Sequence, residues 1–183
     1  MKKKIIIIAS AVLVVIATLL VVIFSSQTMK KCQKWITNSQ NNLIHVQTVF
    51  EVTDKQEKVF VYSEAVEIID GNAEVTKATS RLNTSFEFST IEESSYVENV
   101  DRESLLNFTF DKRYFKESSL KKNTFTATVT GQYLAEFFGG EALEISGDAQ
   151  ATLSFDGKRL QTAQITFTLN SGKQVKITVQ CQY

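Results

Sequence analysis

Three period-two runs joined by tight-turn residues close the chain, and they dictate an antiparallel meander. Ala149, Ala151, Leu153 and Phe155 alternate with mostly polar residues, and Asp156-Gly157 reverses the chain. Ala163, Ile165, Phe167 and Leu169 alternate, Asn170-Ser171-Gly172-Lys173 reverses it again, and Val175, Ile177, Val179 and Cys181 alternate to the end. Successive strand side chains point to opposite faces, so each run offers one face to a core and the other to water. The reversals carry Gly, Asn and Asp, which accept the φ > 0 that hairpin turns need. Proline is absent from all 183 residues, so no ladder loses a donor to it and long strands are permitted.

The same period runs through the earlier part of the domain. Ile44, Val46, Thr48, Phe50 and Val52 form one alternating face, and Val59 to Ile69 form a second run that ends at the turn Asp70-Gly71-Asn72. Glu74 to Leu82 and Ser85 to Ile91 read as further strands. Between Glu92 and Lys122 the patterning fades, which predicts a loop, a short helix near Asp101 to Leu106 and one strand. Phe125, Ala127, Val129, Gly131 and Tyr133 then alternate, and Leu134 to Phe138 reads as a helical turn closed by Gly139-Gly140. Ahead of the strands, Cys32, Trp35, Ile36, Ser39 and Leu43 recur at spacings of three and four, a one-sided stripe that predicts a short helix over Thr28 to Asn42. Trp35 on that stripe either covers a sheet face or rests at the headgroup level of a membrane.

Ile5 to Phe24 is an apolar run interrupted only by Ser10 and Thr18. As a helix it reaches roughly 30 Å, the thickness of a bilayer's hydrocarbon core. It exceeds a signal-peptide core, and no clean small-x-small pair follows it, so an uncleaved anchor is expected. Met29-Lys30-Lys31 ahead of Cys32 is not a lipidation context. Lys2, Lys3 and Lys4 abut the run, whereas Lys30, Lys31 and Lys34 are set back behind Ser25-Ser26-Gln27-Thr28. The positive-inside tendency then puts the N-terminus in the cytoplasm. The expected organisation is a cytoplasmic tail over 1–4, a transmembrane helix over 5–24 and a juxtamembrane linker over 25–31. A β-rich domain over 32–183 follows, held outside the cytoplasm at the cell membrane.

The 20 basic and 20 acidic residues cancel, so no electrostatic footprint for nucleic acid exists. Without the anchor and its lysines the domain is slightly acidic, so attachment is expected through the apolar helix. His45 is the single histidine, and no nucleophile-elbow, zincin, Walker or dinucleotide motif accompanies it. No catalytic residue, metal site or cofactor is therefore expected. The two cysteines, Cys32 and Cys181, lie in a domain expected outside the reducing cytoplasm, which favours a disulfide between them.

The order of elements, ending in the meander FDGK…ITFTLNSGKQVKITV, resembles the bacterial lipoprotein-carrier (LolA-like) half-barrel superfamily. The resemblance covers roughly residues 30 to 183 as an order of elements and has no diagnostic motif. It implies an α+β fold, mostly antiparallel β, in which a curved open sheet or half-barrel packs on a short N-terminal helix. It also implies a lipid or lipidated ligand on the concave side. The retained anchor departs from those carriers, which bear a cleaved signal. Two functional readings follow. In one, the module binds an apolar ligand through aromatic strand residues: Phe50, Phe60, Tyr62, Phe86, Phe88, Phe125, Phe137 and Phe138. In the other, those rings fill a core, and a tethered interaction domain grips a protein partner through an open sheet edge or the acidic middle segment. An open apolar cavity favours the first; a filled core with a bare edge favours the second.

Overall fold

The structure, a computed structural model, describes residues 26–83 and 87–183. The tail over 1–4, the membrane-spanning helix over 5–24 and the orientation they set lie outside the described residues. Among the described residues no helix is long and apolar enough to cross a membrane. Helix α1 covers 26–42, so the stretch expected as a linker is helical from residue 26 onward.

Among the described residues nine strands form one antiparallel sheet: β1 (His45–Asp54), β2 (Glu57–Ile69), β3 (Asn72–Leu82), β4 (Phe88–Asn99), β5 (Phe115–Lys121), β6 (Thr124–Val129), β7 (Ala149–Asp156), β8 (Arg159–Thr168) and β9 (Gln174–Gln182). Their spatial order is β4-β3-β2-β1-β9-β8-β7-β6-β5. The chain thus starts at the centre, walks out to the β4 edge, crosses to the β5 edge through residues 100–114, and walks back to the centre. The closing β9 pairs with β1, setting Val46 opposite Cys181 and Phe50 opposite Ile177. An open antiparallel sheet with an N-terminal helix is the architecture expected. The Asp70-Gly71 reversal has φ of 50° and 82°, as a tight hairpin between β2 and β3 requires.

β4 departs from the reading of Glu92 onward as a loop: it continues to Asn99 and pairs along β3. All of its residues are exposed, so neither face of this edge strand carries the alternation by which strands are recognised. The short helix and the strand expected in the middle are both present, as α2 (Arg102–Leu105) and β5. Asp101 caps α2 by accepting from the amides of Glu103 and Ser104.

The core reaches Val46, Val52, Val66, Ala73 and Val75 on β1 to β3 and is densest on one face of β6 to β9. There Phe125, Leu153, Leu160 and Ile165 are buried almost completely, under α1, α3 (Leu134–Phe138) and residues 106–110. Trp35 is buried with its ring 4.9 Å from Phe155, so it covers the sheet and does not sit at a headgroup layer. Two glutamines of α1 hold the crossing segment, which has no ladder of its own. Gln33 donates to the Phe108 carbonyl at 3.2 Å and accepts from the Phe110 amide at 3.0 Å, while Gln40 donates to the Leu106 carbonyl at 3.0 Å. Buried backbone groups there are thereby satisfied without regular structure. Arg102 closes the other end of the clamp by donating to the Leu43 carbonyl just past the C-terminus of α1.

Ser39, the one buried polar residue among those described, joins α1 to the sheet. Its hydroxyl donates to the Trp35 carbonyl and accepts from the Leu160 amide, each at 2.7 Å. Replacing Ser39 with alanine strands that amide in the core, and a loss of about 1–3 kcal/mol is expected. Urea unfolding should show the loss as a lower midpoint at unchanged slope.

The bridge expected between Cys32 and Cys181 is absent, and both are free thiols. Cys181 interacts with Tyr183, whose hydroxyl donates to the Leu160 carbonyl at 2.6 Å, beside Ser39. Burial pushes each thiol up to about 12, so both stay protonated at neutral pH and are poor nucleophiles.

Candidate ligand-binding site

The two halves of the sheet are covered unequally. Helix α1 and residues 106–110 roof β5 to β9, whereas β2 and β3 are mostly half-buried and β4 is bare. Where the roof ends, a cavity of about 510 Å³ opens. Its floor is the inner face of β1, β2 and β9, with Val46, Thr48, Phe50, Phe60, Val66 and Ile177 pointing into it. Its roof is Leu105, Leu106, Phe108 and Phe138. Tyr96 on β4 and Ile165 on β8 both line it, although a flat sheet would hold those strands about 24 Å apart at about 4.8 Å per spacing. The sheet therefore curls around the cavity. The volume falls within the range of small-molecule sites, about 300–1,000 Å³.

Four of the eight rings expected at a ligand reach this space: Phe50, Phe60, Tyr62 and Phe138. Phe50 and Phe60 meet edge to face with centroids 6.3 Å apart, β1 and β2 each supplying one. Phe125 and Phe137 are instead fully buried and belong to the core. Phe88 stands exposed on β4, away from the cavity, and Phe86 lies outside the described residues. The division follows the roof: the same alternating face is sealed under α3 and residues 106–110 in one half and left open in the other. Tyr133 packs on Tyr114 at 5.2 Å, and Phe155 and Phe167 are buried.

Gly139 and Gly140 let Phe138 line the cavity. Gly139 has φ of 66°, the left-handed cap that ends α3, and a Cβ on it would stand 2.4 Å from Asn107. A Cβ on Gly140 would stand 2.0 Å from the Phe138 ring. The ring therefore lies directly against Gly140.

Opposite the apolar roof the wall is polar. Tyr62 donates to Glu64 Oε2 at 2.6 Å, Lys77 Nζ lies 3.1 Å from that oxygen, and the same ammonium is 5.4 Å from the Tyr96 ring centre. The register explains the grouping: Glu64 pairs with Lys77 across β2 and β3, and Tyr62 lies two residues from Glu64 on the same face. Burial, and then Glu64, push the Tyr62 hydroxyl up to about 12, so it remains a donor at neutral pH. The Tyr96 side chain, and then Glu64, hold the Lys77 ammonium above its ordinary value, so it stays charged. Sequence patterning passes over Glu64, Lys77 and Tyr96 because charged or isolated residues on a half-buried strand look like a solvated face. Their common inward parity with Tyr62 and Val66 was the available signal. Among the described residues no group of three or more His, Cys, Asp or Glu side chains is placed to hold a metal.

No family model matches the chain, and no curated protein matches it. Among solved structures it is similar to LprF from Mycobacterium bovis, with 11% identity and a TM-score of 0.40 over 85% of this chain and 92% of that one. It also overlaps the peroxisomal multifunctional enzyme type 2 of Drosophila melanogaster, with 11% identity and a TM-score of 0.23 over 78% of this chain and 37% of that one. A third likeness is to the CurJ dehydratase, with 4% identity and a TM-score of 0.24 over 83% and 80% of the two chains. At these scores the functional reading rests on the cavity's own residues.

Proposed function

We propose that this chain is a membrane-anchored, extracytoplasmic, non-enzymatic binding module whose cavity takes a lipid-like molecule. The observation that carries the reading is the two-sided lining. Aromatic and aliphatic side chains face the hydroxyls and charges of Tyr62, Glu64 and Lys77 across one space. An apolar chain laid against Phe50, Phe60, Leu105 and Phe138 leaves water, which stabilises the complex by about 0.8 kcal/mol per buried methylene. The polar wall receives the other end. Tethering through residues 5–24 holds the cavity next to the bilayer from which such a molecule would come.

The interaction reading draws on β4, an edge strand that exposes Ile91 at 57% and Val97 at 64%. That edge is, however, blunted against strand addition. The register skips Ile91 in a bulge between Glu92 and Thr90, and Glu92, Glu93 and Glu98 charge it. The cavity is therefore the better-supported site.

The full chain, purified in a mild detergent and sprayed under native conditions, is expected to carry one lipid-sized adduct that solvent extraction releases. An adduct-free spectrum, together with no site-specific labelling of the cavity by acyl photoprobes, removes the ligand reading.

A further inference from the structure

We infer that the cavity selects a single-chain amphiphile with an uncharged, hydroxyl-bearing head and discriminates against a free carboxylate or phosphate monoester. The inference rests on the reading of the cavity as a lipid site and concerns what its polar wall accepts. Three charged side chains line it, Glu64, Glu98 and Lys77. The lone cation is already engaged: Lys77 pairs with Glu64 at 3.1 Å and sits by the Tyr96 ring. Glu98 is two residues from Tyr96 on β4, on the same inward face, and adds a further carboxylate. The polar wall therefore carries two carboxylates against one paired cation; Arg81, the next cation on this face, stands over the Phe60 ring at 5.7 Å, four residues along β3 from Lys77 and so roughly 13 Å from it.

The hydrogen-bonding inventory points the same way. Tyr62 gives its proton to Glu64 and keeps lone pairs to accept, the ammonium of Lys77 carries three N–H donors, and the carboxylates only accept. A wall that offers both donors and acceptors is matched by hydroxyl groups, each of which does both. A carboxylate or phosphate head could use the donors alone.

The test compares two photoprobes that share one diazirine-bearing hexadecanoyl chain, the free fatty acid and its 1-monoacylglycerol, at a pH where the acid is ionised. Each is added at equal concentration to the full-length chain in phosphatidylcholine nanodiscs. After irradiation, labelling is quantified by mass spectrometry on the peptides containing Phe50, Phe60 and Leu105. The monoacylglycerol is expected to label those peptides at least fivefold more than the acid. Glu98→Gln, a change on an exposed strand, should narrow the ratio, and Glu64→Gln, which frees the Lys77 ammonium, should reverse it. Equal labelling, or stronger labelling by the acid in the unsubstituted chain, overturns the inference while leaving the cavity a lipid site. A ratio that neither substitution moves overturns the assignment to these carboxylates. If neither probe labels the cavity peptides, the binding reading falls, and the inference with it.

Discussion

Phe137→Ala is expected to cost about 3–5 kcal/mol of folding free energy, the range for emptying a fully buried aromatic site. Phe137 is completely buried, and its ring meets three others: Phe108 at 5.6 Å, Phe110 at 5.8 Å and Phe115 at 5.3 Å. Those partners come from the crossing segment and from the edge strand β5, so the ring links the roof of the core to the far edge of the sheet. Its backbone takes part as well, since the Thr109 amide donates to the Phe137 carbonyl at 2.8 Å. The backbones of the neighbouring Phe108 and Phe110 are held by Gln33 of α1, so those rings cannot collapse freely into the void, which places the cost toward the upper end. For a domain of this size the melting temperature should fall by roughly 10 °C, read by calorimetry. Phe137→Leu, which retains most of the volume, should cost roughly 1–2 kcal/mol. A loss below about 1 kcal/mol for the alanine variant would contradict the packing of residues 106–110 against α3.

Thr48→Trp should empty the cavity of ligand without unfolding the protein. Thr48 lies on the inner face of central strand β1 between Val46 and Phe50, with Glu64 of β2 and Val179 of β9 beside it. An indole there projects into space the cavity leaves open, so it adds contacts instead of displacing core side chains. The retained lipid adduct should drop at least tenfold, while the melting temperature stays within about 2 °C of the parent, as a change outside the packed core allows. Val49→Trp is the control. One residue along a strand moves the side chain to the opposite face, so this ring lands outside and the adduct should survive. Retention of the adduct in Thr48→Trp, or its loss in both variants, would show that the ligand lies elsewhere.

Much of the fold is written locally. The alternation from Ala149 to Cys181 and the Asp156-Gly157 and Asn170 to Lys173 reversals determined three adjacent strands, because strand parity and turn chemistry act over a few residues. The stripe from Cys32 to Leu43 likewise determined α1, and the Gly139-Gly140 pair the end of α3. β4 was not readable, since its residues are exposed on both faces and its strand form comes from pairing with β3. The return of β9 to the side of β1 could not be read either, since it joins residues more than a hundred positions apart and leaves no local trace.

The site divides in the same way. That Phe50, Phe60, Tyr62, Phe125 and Phe137 all face inward follows from strand parity and the helical turn, and was available from the residues alone. Which of them meet a ligand and which fill the core was decided by where α1, α3 and residues 106–110 lie. Phe125 sits under that roof and Phe137 is the roof's own inward side, while Phe50, Phe60 and Tyr62 sit beyond it. The grouping of Tyr62, Glu64, Lys77 and Tyr96 likewise depends on the registers of three strands. Parity is a property of one strand's own backbone and is carried in its sequence; coverage and cross-strand register are relations between distant segments, and exist only once the chain has packed.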